Sequence, residues 1–89
     1  MTYNELINKI SILSFAYEMD FTVATDDNHV TIKSGDVLFA SISNILQYYM
    51  KLNHRMFMCL GDNLRHDLLK IVYEFTQTPI DSRLMEVEE

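Results

Sequence analysis

Phe21-Thr22-Val23-Ala24-Thr25-Asp26-Asp27-Asn28-His29-Val30-Thr31-Ile32-Lys33 is the stretch that decides the fold. On either side of Asp26-Asp27-Asn28 the residues alternate with a period of two, and β-branched side chains are frequent in both arms. Alternation of that kind turns one side of each arm to a core and the other to water, as in an antiparallel hairpin. Asn28 tolerates the left-handed region and is expected to turn the chain. Downstream, Ser34-Gly35-Asp36 is a second turn, with Gly35 supplying a positive φ. Val37 to Ser43 makes a third strand, whose run Val37-Leu38-Phe39-Ala40 predicts burial on both faces in the interior of a sheet. Ser43-Asn44 is a weaker break. Beyond it Leu46, Tyr48, Met50 and Leu52 alternate with Gln47, Tyr49 and Lys51, which favours a fourth strand over 45–52 against a competing helix over 45–58.

Helical periodicity lies on both flanks of these strands. Thr2 and Glu5 have the spacing of a capping box, and Leu6, Ile10, Leu13 and Tyr17 follow at i, i+4, i+7 and i+11, predicting a helix over 3–17. Asp62 is expected to cap a second helix whose stripe is Leu64, Leu68, Ile71 and Phe75, thickened by Leu69 and Val72. Thr78-Pro79 then restarts the chain, with Thr as cap and Pro at the first helical position, predicting a short helix over 79–85. The expected architecture is an α+β two-layer sandwich, α-β-β-β-β-α. An antiparallel four-stranded meander carries both long helices on one face, because two amphipathic helices suffice to cover one apolar sheet face.

The chain has 89 residues, 48% of them apolar and 22% charged, and a net charge of −6. That allows one α+β domain, expected over 1–85, followed by an acidic tail over 86–89 that frays. The longest apolar run, Met56 to Leu60, is far too short to span a membrane, and the first residues carry no signal-peptide pattern. A single cysteine, Cys59, forms no internal disulfide, so a cytoplasmic location is expected; its apolar neighbours predict a buried, inert thiol. The charge divides unevenly: residues 1–45 net −4, residues 46–75 net +1, and the last fourteen −3.

Chemistry is sparse along the chain. No two of His29, His54, His66 and Cys59 stand at a metal-binding spacing, so neither metal nor cofactor is expected. There is no nucleophile elbow, and Asp26-Asp27 sit at a solvated hairpin tip where nothing raises a carboxyl pKa, so no enzyme is expected. Tyr48 and Tyr49 lie close to Lys51, His54 and Arg55, a combination that suits stacking of single-stranded nucleic acid. Neighbours on a strand face opposite ways, however, so Tyr49 can serve such a surface while Tyr48 packs in the core. A net charge of −6 also opposes the phosphate attraction that dominates such affinity.

Protein recognition remains, with two candidate surfaces. One is Arg55-Met56-Phe57-Met58, where two methionines around a phenylalanine give an adaptable apolar patch with a basic edge. The plainer reading is that Met56 to Leu60 fills the gap between sheet and helix. The other surface is acidic, formed by Asp26, Asp27, Glu86, Glu88 and Glu89. A homodimer through a free sheet edge or through Met56–Met58 is a further possibility.

The stretch Leu68-Leu69-Lys70-Ile71-Val72-Tyr73-Glu74-Phe75-Thr76-Gln77-Thr78-Pro79-Ile80-Asp81-Ser82-Arg83 resembles the C-terminal signature of small phage and prophage proteins of Gram-positive bacteria. Those proteins end in an amphipathic helix, a turn containing Tyr or Phe, and Thr-Pro-x-x-x-Arg. The likeness covers 21–83 in organisation and 68–83 in residues, and Thr78, Pro79 and Arg83 match the motif. The chain departs from it at Phe57 to Asp62, where a shorter and more polar approach to the helix is expected. The resemblance attaches no activity to the motif. It implies an accessory protein that binds and inhibits a host nucleic-acid-handling or defence complex, as anti-CRISPR proteins do. Arg83 is expected to pair with a carboxylate or carbonyl at a helix end.

Overall fold

The computed structural model describes residues 1–87, with side chains described through Arg83. Four antiparallel strands, β1 (Phe21–Thr25), β2 (His29–Ser34), β3 (Val37–Ser43) and β4 (Met50–Leu52), pair in the order β1-β2-β3-β4. Helix α1 (Tyr3–Tyr17) precedes them, and α2 (His54–Met58), α3 (Asp62–Gln77) and a 3-10 helix (Ile80–Val87) follow. The fold is the expected α+β meander with helices, with one addition, the five-residue α2. No helix among the described residues is long and apolar enough to cross a membrane.

Local chemistry sets most of these boundaries. The Thr2 hydroxyl accepts from the Glu5 N–H while the Glu5 carboxylate accepts from the Thr2 N–H, so the capping box forms at the start of α1. The helix ends where Glu18 turns left-handed at φ 57 and the Met19 N–H reaches the Ser14 carbonyl. Asp26 closes the β1–β2 corner by itself: its Oδ1 accepts from the backbone of Asn28 and His29, both at 2.8 Å. That side-chain turn replaces the left-handed residue expected at Asn28, whose φ is not positive. Gly35 does take the positive φ, at 61°.

The core lies between the sheet and the helices. Leu6, Ile10 and Leu13 of α1 and Leu64, Leu68, Val72 and Phe75 of α3 bury against Val30, Ile32, Phe39 and Ile42. In α3 the buried column runs through Val72, with Ile71 only half-buried on its flank. The Tyr17 hydroxyl ties α1 to α3 by donating to Asp67 at 2.9 Å.

Four expectations need correction here. Val37 and Leu38 are not buried on both faces; they are partly exposed, while Phe39 and Ala40 are buried side by side. A register shift between Ile32 and Lys33 adds one residue to β3, and such a bulge turns two successive side chains to the same side. The fourth strand is three residues, not eight, because the chain from Ser43 to Tyr49 finds other backbone partners, described below. Gly61 rather than Asp62 is the N-cap of α3; Asp62 already has helical geometry and pairs with Arg65 one turn on. Cys59 is exposed, since α2 aims Phe57 rather than Cys59 at the core.

Candidate partner-binding loop

Two of the residues expected to touch a partner are absorbed by α2. Asn53 caps this short helix, accepting from the Met56 N–H, and Phe57 thereby joins an edge-to-face chain Phe21–Phe39–Phe57 with ring centroids 5.3 and 6.0 Å apart. Phe57 is core and cannot be a contact residue; Met56 is half-buried against the same cluster. Arg55 and Met58 are exposed on α2. Glu86 lies in the 3-10 helix with its side chain outside the described residues, and Glu88 and Glu89 lie outside them altogether.

Between β3 and β4 the structure makes something the alternating pattern concealed. Ile45, Leu46, Tyr48 and Tyr49 are 63%, 57%, 64% and 49% exposed, four large apolar side chains within five residues. Single exposed apolar residues are ordinary, whereas a contiguous group makes this loop the candidate for an interaction site. Tyr48, expected in the core, is on this surface.

The loop is held from every side. Ser43 Oγ accepts from the Ile45 and Leu46 N–H groups at 3.0 and 2.9 Å, which diverts both from the strand ladder. The Tyr48 N–H donates to the Thr76 carbonyl at 3.0 Å, and Gln47 Nε2 donates to the Gln77 carbonyl at 2.6 Å. Ser43 N–H and Tyr49 carbonyl close the base at 3.0 Å. Tyr48 adopts φ 70, a left-handed conformation costing an ordinary residue roughly 1–2 kcal/mol. Strain of this kind persists only where the surroundings over-determine the backbone.

Arg83 holds the loop from beneath. Only 2% exposed, its guanidinium donates to Ser43 O at 2.6 Å, Thr78 O at 3.1 Å and Thr76 O at 3.3 Å, and sits 4.6 Å above the Phe75 ring. Burial pulls its pKa below the ordinary value. Two of the carbonyls belong to the C-terminal end of α3, where the helix dipole favours a cation. Of the two partners expected for Arg83, the helix-end carbonyl is the one found.

Asn44 brings the acidic hairpin tip alongside. Its N–H donates to Asn28 O at 2.8 Å and its Nδ2 to Thr25 Oγ1 and Asp26 O at 3.0 and 3.1 Å. Tip and loop thus border a cleft of about 270 Å³ lined by Thr25, Asp26, Asp27, Asn44 and Arg83 among others. Of the expected contact residues, Asp26, Asp27 and Tyr49 gather around this loop, and Arg55, Met56, Phe57 and Met58 belong to α2. Residue-type reasoning missed Ile45, Leu46 and Tyr48; the available signal was Ser43-Asn44, a pair whose side chains capture nearby backbone groups.

The two N–H groups that Asp26 holds favour its charged form and lower its carboxyl pKa, the His29 bond contributing most. A depressed folded-state value stabilises the fold at pH above the ordinary carboxylate range, and that stabilisation disappears as pH falls through the lowered value. Asp26→Asn keeps an acceptor but removes the charge, so its thermal melting between pH 2 and 4 should lose part of the wild-type decline. Superimposable pH profiles would show that the tip is not held by this carboxylate.

Among the described residues no group of three or more His, Cys, Asp or Glu could hold a metal ion. A concavity of about 680 Å³ between α1 and α3 is lined by Lys9, Ile12, Tyr17, Asp67, Lys70 and Glu74 among others, with no nucleophile–base pair among them. Compared with known proteins, the chain matches no family model, no curated protein and no solved structure.

Proposed function

We propose that this is a phage-type accessory protein that acts by binding another protein through the loop 44–49, and that its target is a host nucleic-acid-handling or defence complex. The observation that carries the reading is the fixed apolar loop: exposed tyrosines and aliphatic side chains on a backbone already ordered before contact. Preorganisation lowers the entropy lost on binding, and tyrosines are among the commonest energetic anchors of interfaces. The nature of the target follows from the rim. Asp26 and Asp27 stand beside the apolar loop, and proteins that handle nucleic acid carry basic grooves to which such a rim is complementary. The C-terminal resemblance to phage and prophage proteins points the same way.

The test is affinity capture from host lysate with the wild-type chain and with Ile45→Ser/Leu46→Ser as paired baits. A nucleic-acid-handling protein retained by the first and lost by the second is the expected result. Identical retention by both baits overturns the assignment to this loop.

A second reading rests on Tyr49 of the loop with His29 of β2 and Lys51 of β4, which line one groove of about 360 Å³ with Leu38 and Ser41 of β3; strands β2, β3 and β4 carry Lys33 and Lys51 and no carboxylate. Single-stranded nucleic acid suits that chemistry. A gel shift with single-stranded oligonucleotide, abolished by Lys51→Ala and by added salt, is the outcome this reading requires and the first does not.

A further inference from the structure

Helices cover one face of the sheet, and the other face carries charge of one sign. Val30 and Ile32 of β2 turn to the core, so alternation along the strand sends His29, Thr31 and Lys33 the opposite way. Cross-strand register extends that outer face over the sheet. Thr31 stands opposite Ser41 and Ser41 opposite Lys51, while Lys33 stands opposite Leu38 beside the bulge. Tyr49 precedes Met50, the partner of Ile42, and its carbonyl accepts from the Ser43 N–H, so the pairing continues by one residue. Two positions from Lys51, Tyr49 falls on the same outer face, and both line the groove with Ser41 and Leu38.

The chain carries 13 acidic residues, and none of them is in a strand, whereas Lys33 and Lys51 both are. The carboxylates that border the strands in sequence, Asp20, Asp26, Asp27 and Asp36, lie outside them. In about 0.1 M salt, charges more than about 10 Å apart are largely screened, so an anion on the outer face interacts chiefly with the two lysines. Lys33 and Lys51 are two strands and one row apart, which standard sheet spacing makes about 12 Å between Cα atoms. Leu38 and Ser41 form the floor between them. Tyr49 is 49% exposed beside Lys51, and an aromatic ring next to a cation suits a stacked base and its phosphate.

We infer that this face seats a short segment of single-stranded nucleic acid, with one base stacked on Tyr49, the next laid over Leu38, and two phosphates held by Lys51 and Lys33. The inference rests on the second reading above and adds to it a footprint of two bases and two charges. Asp26 and Asp27 at one end of β2 and Asp36 beyond the other oppose any extension past the strand ends. Stacking accepts every base, so the site discriminates little between sequences.

Salt dependence tests the footprint. A short fluorescein-labelled oligothymidylate is titrated with the full chain over a series of sodium chloride concentrations and followed by anisotropy, which reads complexes too weak to survive a gel. With two phosphates neutralised, the logarithm of the association constant should fall against the logarithm of salt with a slope of about −1.4. Lys33→Ala and Lys51→Ala should each bring that slope to about −0.7. Tyr49→Ala should weaken binding about tenfold and leave the slope unchanged. Lys70→Ala, on α3 in the helical layer, should change neither. All four side chains are exposed, so matching thermal melts separate a lost contact from a lost fold. A wild-type chain that does not bind the oligonucleotide overturns the single-strand reading and this inference together. Binding whose slope is untouched by Lys33→Ala, or reduced equally by Lys70→Ala, leaves that reading standing and overturns the footprint.

Discussion

Arg83→Met should cost this domain about 4 kcal/mol of stability in urea unfolding. Methionine matches much of the side chain's volume but leaves three carbonyls, Ser43, Thr76 and Thr78, without their buried donor. Each buried acceptor stripped of its partner costs roughly 1–3 kcal/mol, and the cation over the Phe75 ring is lost as well. A domain of this size has a total stability of roughly 5–13 kcal/mol, so the variant is expected to be marginal at 37 °C. Arg83→Lys should fall between, at about 2 kcal/mol, because a single ammonium on a flexible stem does not reproduce a planar fork that serves three acceptors. A loss below about 1 kcal/mol for Arg83→Met would show that the carbonyls find other donors and that the guanidinium is not what holds the loop.

Tyr48→Gly should separate stability from binding. At φ 70 glycine escapes the steric cost that tyrosine bears, roughly 1–2 kcal/mol, and returns part of that gain through the greater freedom of the unfolded chain. The expected balance is a variant as stable as wild type or more so, by about 0.5 kcal/mol. If the loop is the binding surface, the same change removes an exposed aromatic anchor and weakens the partner complex by about 30-fold or more. Tyr48→Ala is the control: it loses the ring and keeps the strain, so its stability should not rise. Calorimetry for the fold and surface-immobilised binding for the complex read the two effects separately. A glycine variant that is both less stable and equally competent to bind would refute both halves of the argument.

Much of the fold was legible because it follows short-range rules. The limits of α1 were set by a capping box and a four-step apolar column, and the β1–β2 hairpin by alternation around a polar corner. The β3 bulge was not legible, since Phe39-Ala40 reads equally well as a strand buried on both faces, and only the partner strand's register distinguishes them. The loop 44–49 was hidden for a similar reason. Alternating tyrosines and aliphatics resemble a half-buried strand, yet the N–H groups of Ile45, Leu46 and Tyr48 are taken by Ser43, a local partner, and by Thr76, a distant one. The first of these captures is visible in the identity of residue 43; the second depends on where α3 ends. Arg83 stood out in the sequence only as part of a terminal motif. Its role became clear once the three carbonyls around it were seen to come from the end of β3, at the base of the loop, and from the C-terminal end of α3.

The bond from Arg83 to Ser43 joins residues forty positions apart, and this distance orders events in time. A chain leaving the ribosome can pair β1, β2 and β3 well before residue 83 has been made, because those contacts are local. The loop 44–49 lacks the buried donor at its base until residue 83 has emerged. Its four apolar side chains are thus fixed in place late, when the sheet and helices already exist to carry them. A nascent chain stalled short of Arg83 would have a formed sheet and a loop without its anchor, so that, on the function proposed above, this surface becomes competent to bind only once residue 83 has been added.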